Sequence, residues 1–174
     1  MEPTKIVVLG TGGTIAGKAA AAGDNVGYVA GQVDVRDLLA GVPGLAQAAQ
    51  GPLILEQVAQ IDSKNMDFAV WATLAQRCTA YLQDDSVRAV VITHGTDTLE
   101  ETAWFLHSVL DARKPVVLTC AMRPATAIAP DGPQNLLDAM AVAHAPGAQG
   151  VLAVCAGAVH GARRRTGSSH RAIR

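Results

Sequence analysis

Apolar residues fall along this chain in short unbroken runs separated by stretches with helical spacing. The β-branched runs at residues 6–9, 53–58, 87–93, 115–119 and 151–155 each read as a buried strand. Between them, Phe68, Trp71, Ala75, Cys78 and Leu82 recur at helical spacing across residues 66–82, and similar patterns cover 35–39, 99–110 and 136–144. Strand and helix therefore alternate. The strand runs are continuously apolar, without polar alternation, so both sheet faces should be covered. This predicts a doubly wound α/β fold with a mostly parallel sheet and helices on both faces. A ligand in such a fold sits beyond the carboxyl ends of the strands. Polar residues in the segments leaving those ends, 10–17, 62–65, 94–98 and 121–124, are thus candidates for chemistry. The Ala/Gly-rich segment 19–31, with Tyr28 as its one aromatic residue, reads as a mobile loop.

Composition narrows the class. The 174 residues suit one domain; 49% are hydrophobic and 17% charged, as in globular proteins with a packed core. Aromatic residues make up 3%, leaving few rings on which bases could stack. The formal net charge is -1, yet Arg163, Arg164, Arg165, Arg171 and Arg174 crowd the tail while the last acidic residue is Asp138. The body is therefore mildly acidic, which argues against a phosphate-backbone partner, and the basic tail reads as solvated and disordered. Cys78, Cys120 and Cys155 show no C-x-x-C spacing and read as reduced core thiols, with no metal expected. The apolar segment 6–9 is too short for a signal sequence and no run reaches transmembrane length, giving the expectation of a cytoplasmic protein with no membrane partner.

Residues 10–17, Gly-Thr-Gly-Gly-Thr-Ile-Ala-Gly, place glycines directly after the first strand, where they permit positive φ and close backbone approach. A dinucleotide fingerprint fails because its third glycine falls at Ile15. A phosphate loop matches through Gly12, Gly17 and Lys18, but Ala19 stands where Mg²⁺ needs a hydroxyl, and the strand at 87–93 does not end in aspartate. The remaining readings are a nucleophile loop, with Thr11 and Thr14 as hydroxyls, and a plain strand-to-turn corner.

Residues 94–98 read His-Gly-Thr-Asp-Thr, and Thr98 to Glu101 form a capping-box pattern for the following helix. Thr96 and Asp97 are not needed for that cap, and a hydroxyl beside a carboxylate could hold an ammonium group or assist proton transfer. His94 reads as a structural hydrogen-bonder. In the Asp62-Ser63-Lys64-Asn65 segment, Ser63 or Asn65 is either a helix N-cap or a substrate contact.

Taken in order, Thr11 to Gly17, Asp62-Ser63, His94 to Thr102, Ala121-Met122-Arg123-Pro124 and Asp131 to Leu136 resemble the bacterial-type L-asparaginase family. The resemblance runs from residue 5 to about 163. It implies an N-terminal catalytic domain over residues 1–163 and an amidohydrolase acting on L-asparagine, with L-glutamine as a further candidate and no cofactor. By resemblance, Thr14 is the primary nucleophile and Tyr28 the loop tyrosine that assists it. Thr96 and Asp97 are then the second threonine and the aspartate, with Asp97 also holding the substrate ammonium and Ser63 its carboxylate. The family forms homo-oligomers, namely tetramers.

Two departures stand out. Lys64 occupies a place where relatives commonly carry an amide or an acid, bringing a cation near the substrate ammonium. After Arg163 the similarity dissolves into a basic segment, residues 164–174, with Gly167 near the expected place of a catalytic lysine. The expectation from this is a chain that lacks the family's smaller C-terminal α/β domain. The expectation is a frameshifted or truncated chain that folds poorly, exposes apolar surface and is weakly active or inactive, at most binding aspartate or asparagine.

Overall fold

A computed structural model describes residues 4–20 and 27–162. In chain order the strands are β1 (Lys5–Gly12), β2 (Lys18–Ala19), β3 (Tyr28–Val29), β4 (Leu53–Ile61), β5 (Val87–Thr93), β6 (Pro115–Thr119), β7 (Gly150–Cys155) and β8 (Ala158–Gly161). Six of them form one sheet in the order β4-β1-β5-β6-β7-β8, parallel throughout except for the antiparallel edge strand β8. The helices are α1 (Val35–Ala40), α2 (Leu45–Ala48), α3 (Phe68–Gln83), α4 (Leu99–Val109) and α5 (Gly132–His144).

The continuous apolar runs are explained by burial on both sides. Ile6 and Val8 point to one face, where they pack with Leu38, Leu136 and Met140 from α1 and α5. Val7 and Leu9 point to the other, against Leu74 and Cys78 of α3 and Leu106 of α4. Most of these side chains are wholly buried. Each such Leu, Ile or Val contributes about 1.5–3 kcal/mol relative to exposure. The sheet is therefore doubly wound, as expected. Because β1 lies between β4 and β5, the chain leaves β1 toward one side of the sheet and returns on the other, opening a crevice at the carboxyl ends of these three strands.

Several local expectations are corrected. Thr98 sits at the N-cap of α4 but makes no side-chain cap hydrogen bond; its hydroxyl instead donates to the Ser63 carbonyl at 2.9 Å. Neither Ser63 nor Asn65 caps α3. Asp67 does, accepting from the Val70 amide at 2.9 Å, so the helix starts later than residue 66. α5 starts at Gly132, ahead of the expected 136, with a proline at its N-terminus where the missing N–H has no helical partner to lose. In the segment read as a loop, Lys18 pairs with Val29 and Ala19 with Tyr28 as a short antiparallel ribbon. Residues 21–26 of that loop and the basic tail at 163–174 lie outside the described residues.

Candidate active site

The loop after β1 turns sharply because two glycines allow it. Gly13 has φ +77, and a Cβ there would lie 2.4 Å from the Gly95 backbone, so the loops after β1 and β5 pack main chain against main chain. A 3-10 turn, Thr14–Ala16, follows and is buried. The two candidate hydroxyls of this loop part company. Thr11 points inward and donates to the Thr93 carbonyl at 2.9 Å, stapling β1 to β5. Thr14, 8% exposed, points to the crevice, where its Oγ1 lies 2.9 Å from Tyr28 Oη. The β2–β3 pairing holds Tyr28 over the turn, and its ring would collide with any Cβ at Gly17. The phosphate-loop reading finds no support, since the Ala19 amide donates to the Thr126 hydroxyl and Lys18 stands exposed in β2.

The loop after β4 supplies Ser63. It forms a 3-10 turn, Ser63–Asn65, capped by the Asp62 carboxylate on the Lys64 amide. Ser63 is buried, and its Oγ accepts from the Asp97 amide at 3.1 Å, leaving its own proton free to donate. With the Thr98 bond to the Ser63 carbonyl, the loops after β4 and β5 are joined at both ends of one residue. Thr14, Tyr28, Ala30, Asp62, Ser63, Thr96 and Asp97 line one cleft of about 250 Å³. All five residues singled out in the sequence, Thr14, Tyr28, Ser63, Thr96 and Asp97, thus meet in one place. Asp62 is a cleft residue that sequence reasoning did not assign, although its place beside Ser63 at a strand end marked it.

Lys64 is exposed and its ammonium pairs with Asp62 at 3.0 Å. That carboxylate holds the Lys64 ammonium above its ordinary pKa by a hydrogen bond, with smaller contributions from Asp97 and Tyr28.

His94 takes no place in the cleft. It is wholly buried, with Nδ1 2.8 Å from the Gly95 carbonyl and Nε2 2.9 Å from Thr102 Oγ1. The carbonyl can only accept, so Nδ1 carries the proton and Nε2 accepts from the Thr102 hydroxyl, which in turn accepts from Trp71 Nε1 at 2.9 Å. Burial lowers the imidazole pKa, keeping the ring neutral. The Ala121-Met122-Arg123-Pro124 and Asp131 motifs serve each other: the Asp131 carboxylate accepts from the Met122 and Arg123 amides, both at 2.9 Å. Among the described residues, no group of three His, Cys, Asp or Glu is placed to hold a metal, and no helix is long and apolar enough to cross a membrane.

The family sequence model described as asparaginase, N-terminal, matches residues 5–173. The chain belongs to the asparaginase family. Its match reaches past residue 163 into the basic tail. Among relatives of this asparaginase-family chain is L-asparaginase 2 of Bacillus subtilis (strain 168), 45% identical over 145 residues, or 83% of this chain and 38% of the relative. The glutaminase-asparaginase of Pseudomonas fluorescens biotype A is 44% identical over 145 residues, covering 83% and 40% respectively. The crystal structure of a probable cytoplasmic L-asparaginase from Campylobacter jejuni superposes with a TM-score of 0.86 at 42% identity, over 92% of this chain and 49% of that one. The asparaginase-family chain thus spans between 38% and 49% of the length of these relatives.

Proposed function

We propose that this chain carries an amidohydrolase site that cleaves the side-chain amide of L-asparagine, with L-glutamine as a second candidate substrate, through a threonine nucleophile. The observation that carries the reading is the 2.9 Å contact between Thr14 Oγ1 and Tyr28 Oη at the mouth of a polar cleft. A threonine hydroxyl is a weak nucleophile and needs a partner that takes its proton as the bond forms. Tyr28 is the group within hydrogen-bond reach of it. Thr14 Oγ1 attacks the amide carbon; its proton passes to the Tyr28 oxygen as the Tyr28 proton is relayed to the amide nitrogen, and the tetrahedral oxyanion collapses as that nitrogen leaves as ammonia. Water then hydrolyses the aspartyl ester.

The remaining side chains suit a zwitterionic amino acid. The exposed Asp97 carboxylate on the β5 side offers an anionic partner for the α-ammonium, with Thr96 beside it. The Ser63 hydroxyl keeps a proton to donate to the α-carboxylate. Lys64 pairs with the cleft residue Asp62 and lies within electrostatic reach of Asp97, so its cation weighs on how an ammonium binds there. The same reading carries the expectation of a homo-oligomer, which light scattering of the purified chain measures.

Ammonia release from L-asparagine tests the proposal, with aspartate binding measured by calorimetry on the same sample. Release that Thr14→Ala abolishes supports it. Aspartate binding that depends on Asp97 and Ser63, with no ammonia released, would instead make this chain a binding module with the same pocket.

A further inference from the structure

Two of the three cysteines, 35 positions apart in sequence, come together where neighbouring strands end. β6 and β7 pair in register up to Thr119 and Val154, which places Cys120 and Cys155 side by side, with Sγ 3.0 Å from Sγ. Both are free thiols. Adjacent strands run about 4.8 Å apart, within the span a disulfide bridges, and a bond of about 2.05 Å needs the sulfurs to close by roughly 1 Å. The flanking backbone is fixed. The Asn135 amide group donates to the Cys120 carbonyl at 2.9 Å, and its oxygen accepts from the Ala156 amide at 3.1 Å, so one side chain clamps the residue at one sulfur and the residue after the other. Thr119 ties the same two strand ends through its hydroxyl, which donates to the Val154 carbonyl at 2.9 Å.

The two thiols differ in exposure. Cys120 is 1% exposed, whereas Cys155, at the turn into β8, is only partly covered. A hydrogen bond from Cys120 lowers the Cys155 thiol pKa to about 7, while that same contact and burial push Cys120 up. Cys155 is therefore the thiolate side of the pair. Cys78 is buried under α3 with its thiol pushed up to about 12 by burial, and takes no part.

We propose that Cys120 and Cys155 form a peroxide-responsive dithiol site that closes to an intrachain disulfide between the ends of β6 and β7. The Cys155 thiolate attacks one oxygen of hydrogen peroxide; the O–O bond breaks, hydroxide leaves and takes up a proton as water, and Cys155 becomes a sulfenic acid. Cys120 then loses its proton and attacks the Cys155 sulfur; the S–O bond breaks and a second hydroxide leaves as water. Two thiols and one peroxide give one disulfide and two waters, the sulfurs losing two electrons that reduce the peroxide. The site is independent of the amidohydrolase reading, since neither sulfur lines the cleft.

The test treats the folded, purified chain with stoichiometric hydrogen peroxide, removes the excess, then denatures it in the presence of an alkylating reagent and counts the alkylated cysteines. Titratable thiols should fall from three to one, with the surviving thiol at Cys78. Cleavage before Asp131 and Asp138 without reductant should leave the peptides bearing Cys120 and Cys155 joined, and a dithiol reductant should separate them. In Cys120→Ser the resolving thiol is absent, so a dione probe should capture a sulfenic acid on Cys155. Three free thiols after peroxide, a link through Cys78, or sulfinic acid on Cys155 with Cys120 still free would each overturn the proposal.

Discussion

Two hydroxyls 2.9 Å apart, on Thr14 and Tyr28, carry the proposed chemistry. Tyr28→Phe keeps the ring over Gly17 and removes only the proton partner, so kcat should fall by about 10²- to 10⁴-fold with KM little changed. Steady-state ammonia release measures this split; a rise in KM alone would assign Tyr28 to binding. Gly13→Ala tests the turn beneath Thr14. The backbone there, with φ 77 and ψ -174, lies in a region open essentially to glycine and adds about 1–3 kcal/mol for a residue with a Cβ, and the clash with the Gly95 backbone adds more. Denaturant unfolding should therefore show a loss above about 1 kcal/mol, accompanied by loss of activity. At this scale the sequence was legible where a residue type had few uses. Glycines after a strand marked the turn, and the hydroxyls of its two threonines were visible as candidates. Which threonine faces the cleft was not legible in the local pattern alone: Thr11 and Thr14 differ by the direction of one backbone turn, and only the bond from Thr11 to the Thr93 carbonyl separates them.

Packing between elements explains both His94 and the fate of the capping box. Thr102, on α4, is the hinge of a buried chain from Trp71 on α3 through His94 to the Gly95 carbonyl. Thr102→Val keeps the shape but leaves the Trp71 N–H and His94 Nε2 without partners, at about 1–3 kcal/mol for each buried group, measured as a shift in the urea midpoint. His94 also sets a pH dependence. Its folded pKa lies below the ordinary 6.5, so the unfolded chain takes up the proton first. The stability contribution is complete above about pH 6.5 and is lost as pH falls below it toward the folded pKa. Urea midpoints at pH 7.5 and 5.5 should differ more for the native chain than for His94→Gln; equal differences would contradict the assignment. Long apolar runs and helical repeats made the five core strands and the four longer patterns readable. β8 was missed because its signal is short: an Ala156-Gly157 turn with φ 51 and 74 joins it to β7, and Ala-Gly is a weak hairpin mark beside Asn-Gly. The box at Thr98 failed because a carbonyl 35 residues earlier claimed the hydroxyl, a contact no local pattern encodes.

On the scale of the whole molecule, the doubly wound sheet was readable because continuous apolar strands leave few alternatives, and the site follows from it: β4, β1 and β5 are neighbours, so loops distant in sequence converge on one cleft. The sheet order itself was not readable, since the patterns name strands and not their neighbours. Phe68, Trp104, Met122 and Ile128 remain more than half exposed in a chain that spans less than half of its relatives' length. Ligand linkage probes whether this chain holds its site together: aspartate at a hundredfold excess over its Kd should raise stability by about 2.7 kcal/mol and raise Tm, and Asp97→Asn should remove most of that rise.

The central claim is that Thr14 forms the covalent intermediate. The measurement is to mix the chain with L-asparagine, quench in acid within a turnover, and locate any aspartyl ester by peptide mass spectrometry. The account predicts an ester on the peptide containing Thr14, absent from Thr14→Ala. Ammonia release with no ester on Thr14, or an ester on Thr96, would contradict it.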